Sequence, residues 1–240
     1  MSQRDGDPEG GHGPDDVVGG VDGARGGWVL AVVLGPERVL WHLAGDAGEV
    51  LAHARSCAVL GVDIPMGLPE RGRRSCDVEA ARRLGSARSS VFPAPVRSVL
   101  DQRDHEAACR ASRVVTGKAI SLQTWNIIPR IREWDRRLLP TDQDRIVEVH
   151  PELSFRAMAP STAFAAKRTA RGVGQRLAAL RPFVDSGVVL QDLPGGVALD
   201  DALDALAAAW SARRWRQGRA EALGEPDEVD GRGLRMRIVV

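Results

Sequence analysis

Acidic residues stand at the ends of apolar segments again and again in this chain. Asp22 follows Val17-Val18-Gly19-Gly20-Val21, Asp63 follows Ala58-Val59-Leu60-Gly61-Val62, and Glu148 follows Ile146-Val147. Asp201 and Asp204 interrupt the run Asp200-Asp201-Ala202-Leu203-Asp204-Ala205-Leu206. A carboxylate at the edge of a core is costly unless it is paired, hydrogen-bonded or bound to a cation. The repetition favours a fold that brings these ends together around something positive, and a divalent metal is the first candidate.

At 240 residues and 43% hydrophobic composition, the chain can bury one core with insertions. From residue 17 onward there are 32 basic residues against 27 acidic. That modest excess tolerates a polyanionic partner without demanding one. Cys57, Cys76 and Cys109 are odd in number and form no CxxC pair, which argues against a disulfide framework or a structural zinc site and fits a reducing cytoplasm. No apolar run approaches the roughly 20 residues of a membrane span, and the acidic, Gly-rich start is unlike a secretion signal.

Residues 1–16 hold almost no apolar side chains to offset the entropy of ordering, so a disordered tail is expected there, with a single domain over 17–240. The domain opens with expected strands at about 17–22, Trp28 to Leu34 and Arg38 to Leu43, joined by short Gly-containing links that favour antiparallel hairpins. A helix at about 46–55 and an apolar strand ending at Asp63 follow, and Ile64-Pro65 terminates that strand. From about 64 to 144 the pattern is helical, with candidates near 75–84, 102–114 and 121–138. A short strand at 145–149, helices at about 170–181 and 200–217, and an edge strand within Met236 to Val240 complete the reading.

Three antiparallel strands, a helix, a buried strand, a helical excursion, another strand and a terminal helix form the order of the ribonuclease H fold. The expected class is therefore α/β: a mixed five-stranded sheet with flanking helices and a helical insertion between the fourth and fifth strands. In that architecture the first strand is central, and its carboxylate meets the end of the next buried strand and the last helix. Hydrolysis of a phosphodiester needs an activated water, a stabilised phosphorus centre and a neutralised leaving oxygen, which two divalent ions about 3.5–4 Å apart can supply. Mg2+ or Mn2+ suits carboxylate ligands, with Asp22 bridging, Asp63 and Glu148 on one side and Asp204 with Asp201 on the other.

Each acid also has a plainer reading. Asp22 and Asp63 could start turns, Glu148 could pair with a buried Arg, and Asp200 and Asp201 could cap a helix. On the last helix Leu199, Leu203, Leu206 and Trp210 form one apolar stripe, with Asp200 and Asp204 on its flank and Asp201 rotated further away.

The phrases Gly20-Val21-Asp22-Gly23-Ala24-Arg25-Gly26-Gly27-Trp28, Val62-Asp63-Ile64-Pro65-Met66-Gly67-Leu68-Pro69, Ser89-Ser90-Val91-Phe92-Pro93-Ala94-Pro95, Ser121-Leu122-Gln123-Thr124-Trp125-Asn126-Ile127, Glu148-Val149-His150-Pro151-Glu152 and Asp200-Asp201-Ala202-Leu203-Asp204-Ala205 together resemble a bacterial and archaeal family known as domain of unknown function 429. The resemblance implies a ribonuclease H-like fold and a predicted nuclease activity. The ending Asp201-Ala202-Leu203-Asp204-Ala205 is also similar to that of Holliday-junction resolvases, which favours Asp201 over Asp200 as the second helical ligand. The long helical excursion departs from those resolvases, so specificity should reside there.

In that excursion Arg82, Arg88 and Lys118 are the candidates to hold substrate phosphate, because they lie in or beside the quoted phrases, Arg82 and Arg88 around the Ser89-Ser90 turn and Lys118 just before an expected helix. His150 is a candidate for proton transfer, and Trp125, Trp134 and Trp210 for base stacking, although packing explains each of these as well. The expected function is a metal-dependent nuclease or phosphodiesterase acting on nucleic acid or a nucleotide-like phosphodiester. The alternatives are a phosphotransferase or ATPase of the actin and sugar-kinase type, and a catalytically silent binding protein on the same scaffold. No Walker A sequence occurs.

Overall fold

A computed structural model describes residues 17–240, so the expected tail lies outside the described residues. β1 (Val18–Ala24), β2 (Gly27–Gly35) and β3 (Arg38–Ala44) form an antiparallel meander. After α1 (Ala47–His53), β4 (Val59–Val62) returns parallel to β1. The insertion then runs through α2 (Ser75–Leu84), α3 (His105–Thr116) and α4 (Leu122–Arg137) before β5 (Ile146–Glu148) joins parallel to β4. The mixed sheet has the order β3-β2-β1-β4-β5, as expected from the element order.

Four further helices follow: α5 (Pro151–Met158), α6 (Ala170–Leu180), the short α7 (Ser186–Val189) and α8 (Leu199–Arg216). Sequence reading missed α5 because His150-Pro151 looks like a stop. Proline is suited to the first turn of a helix, where its missing N–H has no partner to lose, and Pro151 occupies that position. The expected C-terminal edge strand is β7 (Ile238–Val239), which pairs with β6 (Ala222–Leu223) in a separate two-stranded sheet and bridges Val149.

The sheet divides two cores. On one face Trp28, Leu30, Val62 and Ile146 pack with α1 and α4 through Ala47, Val50, Ile131 and Trp134. On the other face Val18, Val29, Val59 and Val147 pack against α8, which α5 and α6 cover from outside. The sheet-facing side of α8 is alanine rather than the expected Leu199, Leu203, Leu206 and Trp210 stripe. A Cβ on Gly20 would strike the backbone of Ala205 and Ala209, and one on Gly61 would strike Ala208. Glycine in β1 and β4 therefore lets the helix backbone rest directly on the strands. Among the described residues no helix is long and apolar enough to cross a membrane.

This contact predicts a sharp positional contrast. Gly20→Ala should destabilise the chain by about 2 kcal/mol or more in urea unfolding, because backbone rather than a flexible side chain must yield. Gly174→Ala in α6, where an added Cβ meets nothing within 4 Å, should be neutral or stabilising by about 0.5–1 kcal/mol.

Candidate active site

Strand parity decides which acids reach α8. Val18, Gly20 and Asp22 share one face of β1, and Val59, Gly61 and Asp63 continue the same face of β4, the face that carries α8. The Asp63 N–H donates to the Val21 carbonyl (3.0 Å), which fixes Asp63 beside the end of β1. The Gly23 N–H beside the Asp22 carboxylate favours its charged form, the smallest of the influences on it. From α8, Asp201 and Asp204 face the same region and line one cavity with Asp22 and Asp63. The N-cap of α8 is Ala198, so Asp200 and Asp201 sit inside the first turn, where the helix dipole favours acids.

Glu148 is placed differently. Its register partner is Val62, so it follows Ile146 onto the face opposite α8. Arg74, 1% exposed, donates to both of its oxygens, at 2.6 and 2.7 Å, and the Met66 N–H donates at 2.6 Å. Arg74 also holds Asp77 (2.5 Å), whose Oδ2 accepts from the Ala94 N–H (3.0 Å). Glu148 thus lines the cavity as the anchor of a buried ion triad, with its oxygens already engaged. Parity with Ile146 was the signal in the sequence that could have separated it from Asp22 and Asp63.

The cavity encloses about 530 Å3 at the ends of β1, β4 and β5. Burial, followed by the charges of Asp63 and Asp204, raises the proton affinity of Asp22 well above the ordinary carboxylate range. Burial likewise pushes Asp63 up to about 7 and Asp204 up to about 6, with Glu152 repelling both. Asp204 Oδ1 is buried without a hydrogen-bond partner. Asp200 points aside, held by Arg168 Nε (3.1 Å), so Asp201 is the cavity-facing member of that pair.

Sequence reading missed Lys167, although it is one of only two lysines in the chain. Its ammonium lies 2.7 Å from Asp204 Oδ2. Burial disfavours that charge, but Asp204, Asp22 and Asp200 outweigh burial and raise its proton affinity. Arg130 also lines the cavity, stacked over Trp28 and donating to the Ala24 carbonyl at 2.6 Å. A Cβ on Gly23 would collide with its guanidinium.

The basic candidates from the insertion do not line this cavity. Arg82 pairs with Glu79 on the surface of α2, and Arg88 and Lys118 are exposed. The cavity's cations come instead from α4, the segment before α2 and the α5–α6 loop. Trp134 is buried edge-on against Trp28, Trp125 leans on His105 and Trp210 lies under Arg214, all in packing roles. His150 does line the cavity. Its Nε2 lies 3.2 Å from the Ser90 carbonyl, and its buried Nδ1 has no partner.

The family described as Protein of unknown function (DUF429) matches residues 20–229. The chain belongs to DUF429. No curated protein and no solved structure matches it. The DUF429 match spans every acid of the cavity, from Asp22 to Asp204.

As for a metal, among the described residues no three His, Cys, Asp or Glu side chains already stand in a ligating arrangement. The donor chemistry nevertheless fits a hard divalent cation: carboxylate oxygens with raised proton affinity, one of them orphaned.

Two outcomes follow. Asp63 and Asp204 bind protons more tightly in the folded chain, near 7 and 6, than at their ordinary value of 3.8. Between those values the folded state carries more protons than the unfolded one, so their contribution to stability falls as pH rises from about 4 to about 7. In chelator, Asp63→Asn should therefore melt progressively higher than the parent chain across that range, by about 3 °C or more at its upper end. Arg74→Met, which strands Glu148 and Asp77, should cost about 3–5 kcal/mol in urea unfolding.

Proposed function

We propose that this DUF429 chain is a metal-dependent hydrolase of phosphodiester bonds, a nuclease or phosphodiesterase. The observation that carries the reading is the meeting of Asp22, Asp63 and Asp204, from two strands and a helix, around one cavity where their mutual charge is only partly compensated. Asp22, Asp63 and Asp204 would hold Mg2+ or Mn2+, with Asp201 close by. The bound ion would activate water and stabilise charge on the phosphate.

The chain's own groups supply the rest. Lys167 and Arg130 present cations toward a phosphate in the cavity. The Nδ1 lone pair of His150, with Nε2–H given to Ser90, is positioned to accept a proton. Trp28 under Arg130 offers an aromatic surface beside the acids. A cavity of about 530 Å3 suits a nucleotide-sized unit better than an intact duplex, which supports a strand end, an unpaired nucleotide or a small phosphodiester as substrate. Free, buried Cys57, Cys76 and Cys109 support a cytoplasmic setting.

The test is a cleavage screen with Mn2+ or Mg2+ over single-stranded DNA, duplex DNA, RNA, hybrids and branched DNA. Cleavage of at least one substrate should vanish with chelator and fall by about 100-fold or more in Asp22→Asn, whose melting curve stays cooperative. Undiminished turnover by Asp22→Asn would contradict the reading. Saturable ATP binding without any phosphodiester cleavage would move the chain to the nucleotide-binding phosphotransferase class.

A further inference from the structure

The carboxylates of the cavity already share it with a cation. Lys167 Nζ lies 2.7 Å from Asp204 Oδ2 and 3.6 Å from Asp200 Oδ2, and its charge acts on Asp22 and Asp63 as well. A lysine on a loose surface loop would gain little from such a pair. This loop is pinned. Arg176, 2% exposed, donates from Nη1 to the Ala165 carbonyl (3.0 Å) and the Gly172 carbonyl (3.1 Å) and from Nη2 to Glu152, and its guanidinium lies against the rings of both Phe155 and Phe164. Gln175 accepts the Ala165 N–H (2.7 Å) and donates to the Ala163 carbonyl (3.0 Å). Thr169 donates to the Ala166 carbonyl (2.8 Å), and a Cβ on Gly172 would collide with that carbonyl. The backbone on both sides of Lys167 is thus fixed where its stem reaches Asp204.

Charge then limits what else can enter. Glu148 is answered by Arg74, Asp200 by Arg168 and Glu152 by Arg176. Asp22, Asp63, Asp201 and Asp204 are left with Lys167 and with Arg130, whose charge acts on Asp201, so two negative charges remain among them, the charge of one divalent ion. A second divalent ion would make the cluster strongly positive and would have to sit against the ammonium. Asp204 divides accordingly, with Oδ2 given to Lys167 and Oδ1 buried without a partner.

We propose that the site takes one divalent cation and that Lys167 stands where a second would bind, in contrast to the two-ion arrangement expected from the acids alone. This rests on the proposed metal-dependent function. In its presence Lys167 is a resident cation that faces substrate phosphate without ever being exchanged.

Isothermal calorimetry of the full chain with Mn2+ alone, with free Mn2+ followed by electron paramagnetic resonance, tests it. The parent chain and Lys167→Arg should bind one ion. Lys167→Met and Lys167→Gln, both confirmed folded by thermal melting, should bind a second ion or hold the first at least about tenfold more tightly. Two ions on the parent chain, or unchanged or weakened binding in both neutral variants, would overturn the proposal while leaving a metal-dependent hydrolase intact. No Mn2+ binding by the parent chain would instead overturn the proposed function itself, and this inference with it.

Discussion

The close approach of α8 to β1 and β4 governs the rest of the molecule. Gly20 and Gly61 present no side chain, Ala205, Ala208 and Ala209 present almost none, and the helix backbone comes down onto the strands. Asp204 lies beside Ala205 on that helix, and Asp22 and Asp63 lie two residues beyond the two glycines on the same strand faces. The contact that packs the core therefore also sets how near the acids come. Interior packing yields little to added volume, so the spacing of the acids is held by backbone rather than by flexible side chains.

Gathering these acids works against stability. Burial and mutual repulsion raise the proton affinity of Asp22, Asp63 and Asp204, and Lys167 compensates only part of their charge. The neighbouring Arg74, Asp77 and Glu148 show the opposite arrangement, in which guanidinium and carboxylates satisfy one another almost completely. Side by side under one cavity, the satisfied triad braces the ends of β4 and β5 and the Ala94 segment, while the unsatisfied cluster keeps a capacity to bind. Under the proposed function, a cation from outside would answer the acidic group that the fold leaves only partly compensated.

Much of this was legible in the residues. Apolar runs with Gly-containing links gave the meander, the apolar run ending at Asp63 gave β4, and α2, α4 and α8 fall within a residue or two of their expected bounds. Asp22, Asp63, Asp201 and Asp204 do line one cavity. What escaped depends on relations that a single chain position does not carry. Glu148 lines the cavity but is already held by Arg74, an arrangement that follows from parity across three strands and from a partner that an Arg-rich sequence does not single out. Lys167 escaped because its loop is organised by Arg176 and Gln175 from the following helix rather than by any local pattern. Arg82, Arg88 and Lys118 stand near suggestive phrases in sequence, but nearness in sequence does not set where a side chain points, and all three are exposed.

The central claim is that three carboxylates remote in sequence make one cation site. Anomalous diffraction from crystals of the full chain soaked in Mn2+ tests it most directly. The account predicts an anomalous peak in the cavity, bonded to oxygens of Asp22 and Asp204 with Asp63 beside it. Mn2+ found only elsewhere on the chain, with that cavity holding none, would contradict it.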